Sequence, residues 1–144
     1  MKKAFLIIAG IIILAFTGSG PLKDGRFDGT SRAIYINEPF YGSTRITVEN
    51  GKITRVEFTV RDSSKHEFFN GEYEKYMAGN ELYIQQCRND WKGIRSYPDS
   101  LLKYQDLDKV DAISGATWSY NIFRASALKA LKQAEETAEN QKTK

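Results

Sequence analysis

Length, composition and charge place the chain among single globular domains. Its 144 residues are 41% hydrophobic and 27% charged, which is enough apolar material for one domain with a real core. The formal net charge is only +3, and no basic stripe suggests nucleic-acid binding. A single cysteine, Cys87, excludes an internal disulfide framework and a cysteine-rich metal site.

The first 20 residues have the pattern of a secretory signal. Lys2 and Lys3 precede an apolar run over residues 4–16, and small residues follow at 17–20. The run is shorter than the ~20 residues that a membrane-spanning helix needs, and an uncleaved anchor with its lysines inside is the alternative. We predict a signal peptide or N-terminal membrane anchor over residues 1–20. A domain over residues 21–140 would then lie outside the cytoplasmic membrane, in the periplasm or at the cell surface.

Residues 43–62 give the clearest hairpin signal. Asn50-Gly51 is a preferred type I′ turn pair between two alternating runs. A two-residue turn pairs Val48 with Ile53, but strict pairing would then oppose Ile46 to a polar residue. One extra residue near Thr54 restores the phase, so we predict a β-bulge there. The predicted core residues of the hairpin are Ile46, Val48, Ile53, Val56, Phe58 and Val60.

The segments on either side of the hairpin are less regular. Residues 21–31 predict a loop leading into a strand, and residues 34–36 a further short strand. Residues 63–95 mix helical and extended signals, with glycines as breaks. Residues 96–107 predict a short helix with Pro98 in its first turn.

A long C-terminal helix is predicted from about Ser119 to Glu136. Its apolar residues recur at i, i+3 and i+4, as Tyr120, Phe123, Ala127, Ala130, Leu131 and Ala134. Because strands come first and helices later, the predicted fold class is α+β. We expect a small antiparallel sheet with a β-hairpin, packed against helices.

Small residues crowd the start of this helix, in the sequence "SGAT" at 114–117. The first N–H groups of a helix lack partners and carry the positive end of its dipole, so an anion is stabilised there. Gly115 and Ala116 leave the backbone open to a phosphate, and the hydroxyls of Ser114 and Ser119 can donate hydrogen bonds. No Gly-Lys-Ser/Thr is present, which argues against a P-loop. An elaborate N-cap is the alternative interpretation.

The sequence "DAISGATWS" at 111–119 resembles the motif Asp-x-x-Ser/Thr-Gly-Ala-Thr/Ser of the FMN-binding domain family. That family includes the flavin-carrying subunits of Na+-pumping NADH:quinone reductase and Rnf complexes. The matching positions are Asp111, Ser114, Gly115, Ala116 and Thr117. A second similarity, to the family's opening Asp-Gly-x-aromatic-x-Gly, lies at Asp24, Gly25, Phe27 and Gly29.

The resemblance implies an exported electron carrier, not an enzyme, with FMN joined to Thr117 by a phosphoester bond. An FAD:protein FMN transferase would attach the cofactor, and unidentified redox proteins would donate and accept its electrons. The other predicted cofactor-binding residues are Asp111, Ser114, Gly115, Ala116, Trp118 and Ser119. The alternative is a non-redox envelope module that uses the same fold for binding or scaffolding.

The stretch after the hairpin departs from the family. Family members often carry Glu-Thr-Pro-Gly-x-Gly near the isoalloxazine ring, whereas residues 63–76 read "SSKHEFFNGEYEKY". His66 and Glu67 form no zinc helix, since HExxH needs a second histidine. We further predict a buried, unreactive Cys87 and solvated carboxylates at Asp106 and Asp108.

The N-terminal pattern predicts where the exported chain is cut. The mature protein should start between Gly18 and Pro21, with Thr17 or Ser19 before the cut because each has a small residue two places earlier. N-terminal sequencing or intact mass of protein from its own host is the measurement. A soluble cytoplasmic pool that keeps Met1 would refute export.

Overall fold

The computed structural model describes residues 21–33 and 37–142, with side chains described up to Glu135. Four strands, β1 (Gly25–Arg32), β2 (Phe40–Glu49), β3 (Lys52–Asp62) and β4 (Glu67–Phe68), form one antiparallel sheet in that order. Two long helices follow, α1 (Glu81–Tyr104) and α2 (Thr117–Lys142), with short 3-10 helices at Gly71–Tyr76 and Leu107–Lys109. The α+β prediction is confirmed. The predicted signal segment and the strand predicted at 34–36 lie outside the described residues.

The hairpin has the predicted bulge. Asn50 and Gly51 have φ of 54° and 73°, the positive values that a type I′ turn requires. Val48 pairs with Ile53 and Ile46 pairs with Val56, which leaves Thr54 as the extra residue on β3. The bulge thereby keeps five of the predicted core residues buried and Val56 half-buried: the buried ones are Ile46, Val48, Ile53, Phe58 and Val60.

Both long helices cover one face of the sheet. α2 packs on β1 and β2, α1 packs on β3, and the helices contact each other. The opposite face is polar, and there Arg45 of β2 forms an ion pair with Asp28 of β1 at 2.8 Å. Among the described residues, no helix is both long and apolar enough to cross a bilayer.

The Asp-Gly-x-aromatic-x-Gly motif at residues 24–29 connects β1 to the hairpin and to α2. The carboxylate of Asp24 accepts the N–H of Gly51 at 2.9 Å, and this bond lowers the pKa of Asp24. The ring of Phe27 packs against the core. Gly29 lies where α2 crosses β1, because a Cβ there would be 2.0 Å from the carbonyl oxygen of Ser126.

The helix predicted over residues 96–107 is wrong in its start. α1 begins at Glu81, where the side chain of Asn80 accepts the N–H of Tyr83 at 3.1 Å, and it contains both Gly93 and Pro98. A proline inside a helix removes one backbone hydrogen bond, but burial of side chains on both sides of it favours continuation. The buried apolar residues are Ile84, Cys87, Trp91, Tyr97, Pro98 and Leu101.

α2 begins at Thr117, two residues before the predicted start, and reaches Lys142. Its predicted apolar stripe is confirmed: Phe123, Ala127, Ala130 and Ala134 are buried, and Tyr120 and Leu131 pack partly buried against the core. The buried hydroxyls of Ser126 and Thr44 also hydrogen-bond at 2.6 Å and join α2 to β2.

A methyl group at the crossing of β1 and α2 tests this packing. Gly29→Ala should destabilise the fold by about 1–3 kcal/mol, since the helix backbone must move away from the strand. Gly71→Ala is the matched control because a Cβ there meets open space; it should change stability by less than about 0.5 kcal/mol. Urea denaturation gives both values, and equal stability of the two variants would contradict the close approach.

Candidate functional site

The turn before α2 requires a glycine. Gly115 has φ of +78°, in the left-handed region that favours glycine. A Cβ at this position would also lie 2.8 Å from Nδ2 of Asn89 on α1. The N–H of Ala116 bonds the carbonyl of Ile113 at 2.9 Å and closes the turn.

One face of α1 holds this turn from beneath. Gln86 donates from Nε2 to the carbonyl of Gly115 at 2.6 Å. The Tyr97 hydroxyl donates to the carbonyl of Ala116 at 2.8 Å and accepts the N–H of Ile113 at 3.2 Å. Burial raises the pKa of Tyr97, so the hydroxyl keeps its proton for this bond. Gly93 lets the turn approach, since a Cβ there would be 3.0 Å from that of Ala116.

The start of α2 is capped by a carboxylate from α1. Asp90 is buried, and its Oδ1 accepts the N–H of Ser119 at 3.0 Å and the Ser119 hydroxyl at 2.7 Å. An acidic side chain at a helix N-terminus satisfies a free N–H and interacts favourably with the dipole. Ser119 was predicted to face a phosphate. Its hydroxyl would have to release Asp90 to do so, because a hydroxyl has one proton.

Sequence reasoning missed Gln86, Asp90, Gly93 and Tyr97. Their spacing of four, three and four residues puts them on one helix face, and that spacing is readable in the sequence. Glycine disfavours a helix interior, so Gly93 predicts a break there, and a break would divide this face between two segments.

Thr117 is exposed and is the first residue of α2. Within residues 21–33 and 37–142, no hydrogen-bond partner is found for the backbone N–H groups of Thr117 and Trp118. Asp111 and Ser114 are also exposed, and their side chains form no hydrogen bond to the described residues. The predicted motif therefore divides in two: Asp111, Ser114, Gly115 and Thr117 are exposed, while Ala116 and Ser119 are buried.

Trp118 is half-buried and held on two sides. Its Nε1 donates to Oε2 of Glu38 at 2.9 Å. Its ring contacts Phe40 and Phe69 edge-on, with centroids 5.4 and 5.2 Å apart. Glu38 also lines a cleft of about 590 Å³ where β1 ends and β2 begins.

Phe69 and Tyr73, from the segment 63–76 that departs from the family, form an aromatic cluster with Phe40, Trp91 and Trp118. Phe69 contacts the other four rings at centroid distances of 5.1 to 5.7 Å. The Tyr73 hydroxyl donates to the buried carboxylate of Asp62. Burial alone would raise the pKa of Asp62, but hydrogen bonds from Ser64, Tyr73 and the Lys65 backbone lower it to about 2. An ionised, fully bonded Asp62 thus fixes the start of this segment.

The other candidate residues have ordinary surroundings. Cys87 is buried, and burial raises its pKa to about 11, as expected of an unreactive thiol. His66 is exposed. Asp106 accepts the N–H of Asp108, whose carboxylate pairs with Arg124 at 2.6 Å. The described part of the chain contains no group of three potential metal ligands.

Comparison with known proteins identifies the family. The family model described as FMN-binding domain matches residues 41–132, which is more than half of the chain. The chain belongs to the FMN-binding domain family.

One solved structure is similar to this FMN-binding domain. It is the crystal structure of the CPE2226 protein from Clostridium perfringens, with 26% sequence identity and a TM-score of 0.61. The superposition covers 81% of this chain and 91% of that chain. A search of curated proteins gave no match.

Family membership makes FMN the cofactor of this domain, and the start of α2 fits one part of it. The exposed Thr117 hydroxyl and the two unpartnered N–H groups of Thr117 and Trp118 can contact a phosphate group. Gly115 keeps the approach free of a side chain.

The hydroxyl of Tyr97 should determine how firmly the turn is held. Tyr97→Phe leaves the N–H of Ile113 without its partner and should cost about 1–2 kcal/mol of unfolding free energy. Hydrogen exchange at the Ile113 amide should accelerate. Tyr104→Phe, on the exposed end of α1, is the control and should stay within about 0.5 kcal/mol. Unchanged exchange in Tyr97→Phe would show that the hydroxyl does not hold the turn.

Proposed function

We propose that this FMN-binding domain is an electron carrier that holds FMN through a phosphoester bond to Thr117. The exposed Thr117 hydroxyl, at the start of α2 and beside a glycine turn supported by α1, carries the proposal. The exposed groups Asp111, Ser114 and Thr117 form no hydrogen-bonded acid–base pair with one another. We therefore favour a carrier over a stand-alone enzyme.

Attachment requires an FAD:protein FMN transferase. The Thr117 oxygen forms a bond to the phosphorus of the FMN half of FAD, and the P–O bond of the pyrophosphate breaks. AMP leaves and the hydroxyl loses its proton, so the protein gains FMN minus water. Bound FMN exchanges a hydride or single electrons, which lets a carrier connect two-electron and one-electron partners.

We propose that this carrier works outside the cytoplasmic membrane. A basic pair, a short apolar run and small residues favour export. A covalent bond suits a compartment with little free FMN, because the cofactor cannot dissociate. Its redox donor and acceptor would be other envelope proteins.

A non-redox module is the second candidate function, and the aromatic cluster favours it. Residues 63–76 lack the loop that lies near the ring in relatives, and Phe69 and Tyr73 are buried instead. A visible spectrum of protein purified from its native envelope separates the two functions. A flavin band that survives denaturation supports the carrier, whereas colourless protein supports the binding module.

Substitution of Thr117 tests the attachment site. Thr117→Ala should abolish covalent flavin with less than about 0.5 kcal/mol change in stability, because the side chain is exposed and has no hydrogen bond to the described residues. Thr117→Ser should keep some flavin. Coexpression with an FAD:protein FMN transferase, denaturing electrophoresis under ultraviolet light and peptide mass mapping give the answer.

Ser114→Ala is the matched control, since it removes another exposed hydroxyl of the same turn. It should still carry covalent flavin. If the wild-type chain gains no mass, or gains it at a residue other than Thr117, the proposed attachment is wrong.

A further inference from the structure

Among the described residues, the charged side chains that hydrogen-bond the start of α2 are carboxylates. Asp90 caps it from within, Glu38 bonds the neighbouring Trp118, and Asp111 is exposed four residues before the glycine. In the described ranges, no Lys or Arg side chain hydrogen-bonds to residues 111–119. Proteins that bind phosphate ionically usually supply Arg or Lys.

Asp90 already supplies the negative charge that this helix end attracts. Its Oδ1 binds Ser119, and its Oδ2 accepts a hydrogen bond from Gln86 at 3.2 Å, so both oxygens act as acceptors. A helix N-terminus carries roughly half a positive charge. A carboxylate beside it offsets that positive charge, although two N–H groups have no partner among the described residues and remain open to a further anion.

We propose that Asp90 is a specificity residue that excludes free dianionic phosphate esters from the start of α2. The proposal rests on attachment of FMN at Thr117. Free FMN carries a phosphate monoester with a charge close to −2 at neutral pH, whereas the phosphodiester on Thr117 carries −1. The ester bond, and not ionic binding of the phosphate, retains the cofactor.

Two roles of Asp90 predict opposite results for Asp90→Asn. If Asp90 acts only as a hydrogen-bonding cap, the amide weakens the helix start and lowers affinity for anions. If its charge excludes dianions, the amide keeps the two bonds from Ser119 at Oδ1, loses only the bond from Gln86, removes the repulsion and raises affinity. The sign of the change therefore separates the roles.

The experiment uses the full chain produced without the transferase, so that no flavin is attached. Inorganic phosphate at pH 8 and dimethyl phosphate, a monoanion, are titrated at constant ionic strength while the amide signals of Thr117 and Trp118 are followed by NMR. Asp90→Asn should bind inorganic phosphate about tenfold more tightly than wild type. The gain for dimethyl phosphate should be smaller.

Asp28→Asn is the matched control, because it removes one carboxylate that pairs with Arg45 on the opposite face of the sheet. It should leave phosphate affinity unchanged. Ser114→Lys is a positive control that keeps the Asp90 cap intact, since the Ser114 side chain is exposed and has no hydrogen bond to the described residues. The added positive charge should tighten phosphate binding, which shows that the titration detects an anion at this turn.

Unchanged or weaker phosphate binding in Asp90→Asn would overturn the proposal. If Asp90→Asn does not fold, wild-type binding of inorganic phosphate that is tighter than wild-type binding of dimethyl phosphate overturns it. These titrations need no covalent flavin. Their failure is therefore distinct from a failure to find FMN on Thr117.

Discussion

The hydrogen bonds between Asp90 and Ser119 connect the two long helices at the place where the site is built. They are buried and short, at 2.7 and 3.0 Å, and they join residues far apart in the chain. A buried carboxylate without such partners would cost several kcal/mol. These bonds constrain the first helical turn of α2 relative to α1. They thereby also fix where the exposed residues just before α2 lie.

Close backbone contacts extend this constraint from the helices to the sheet. α2 approaches β1 at Gly29 so closely that any side chain would collide with the helix backbone. The hydroxyls of Thr44 and Ser126 connect the same helix to β2 inside the core. A buried hydrogen bond forms only over a narrow range of distances and angles. It therefore favours one position of the helix on the sheet over positions shifted along the strands. The sheet therefore serves as the base on which the start of α2 is fixed.

Local signals predicted much of the fold from the sequence. The bulge at Thr54 followed from alternation and turn length, because strict pairing would have placed Val56, Phe58 and Val60 on the polar face of the sheet. The apolar stripe on α2 followed from the i, i+3, i+4 spacing of its apolar residues.

The full length of α1 could not be predicted, because Pro98 and Gly93 disfavour a helix locally. Burial against β3 and the start of α2 compensates for this.

Only the residues of the site that lie next to one another in the sequence could be predicted. Thr117, Gly115 and Ser114 form a contiguous motif, whereas Gln86, Asp90 and Tyr97 act across the fold and carry no local signature. Contacts between residues distant in sequence depend on how the helices pack, which no single segment of the chain specifies.

The two anchors of Trp118 also set the angular orientation of α2 about its own axis. Consecutive residues of a helix point about 100° apart, so fixing the indole between Glu38 and Phe69 fixes the direction of the preceding side chain. A helix free to roll would sweep the Thr117 oxygen through an arc. With the indole held, the Cα–Cβ bond of Thr117 points in one direction, and a large group attached to its oxygen would start from a defined place on the surface.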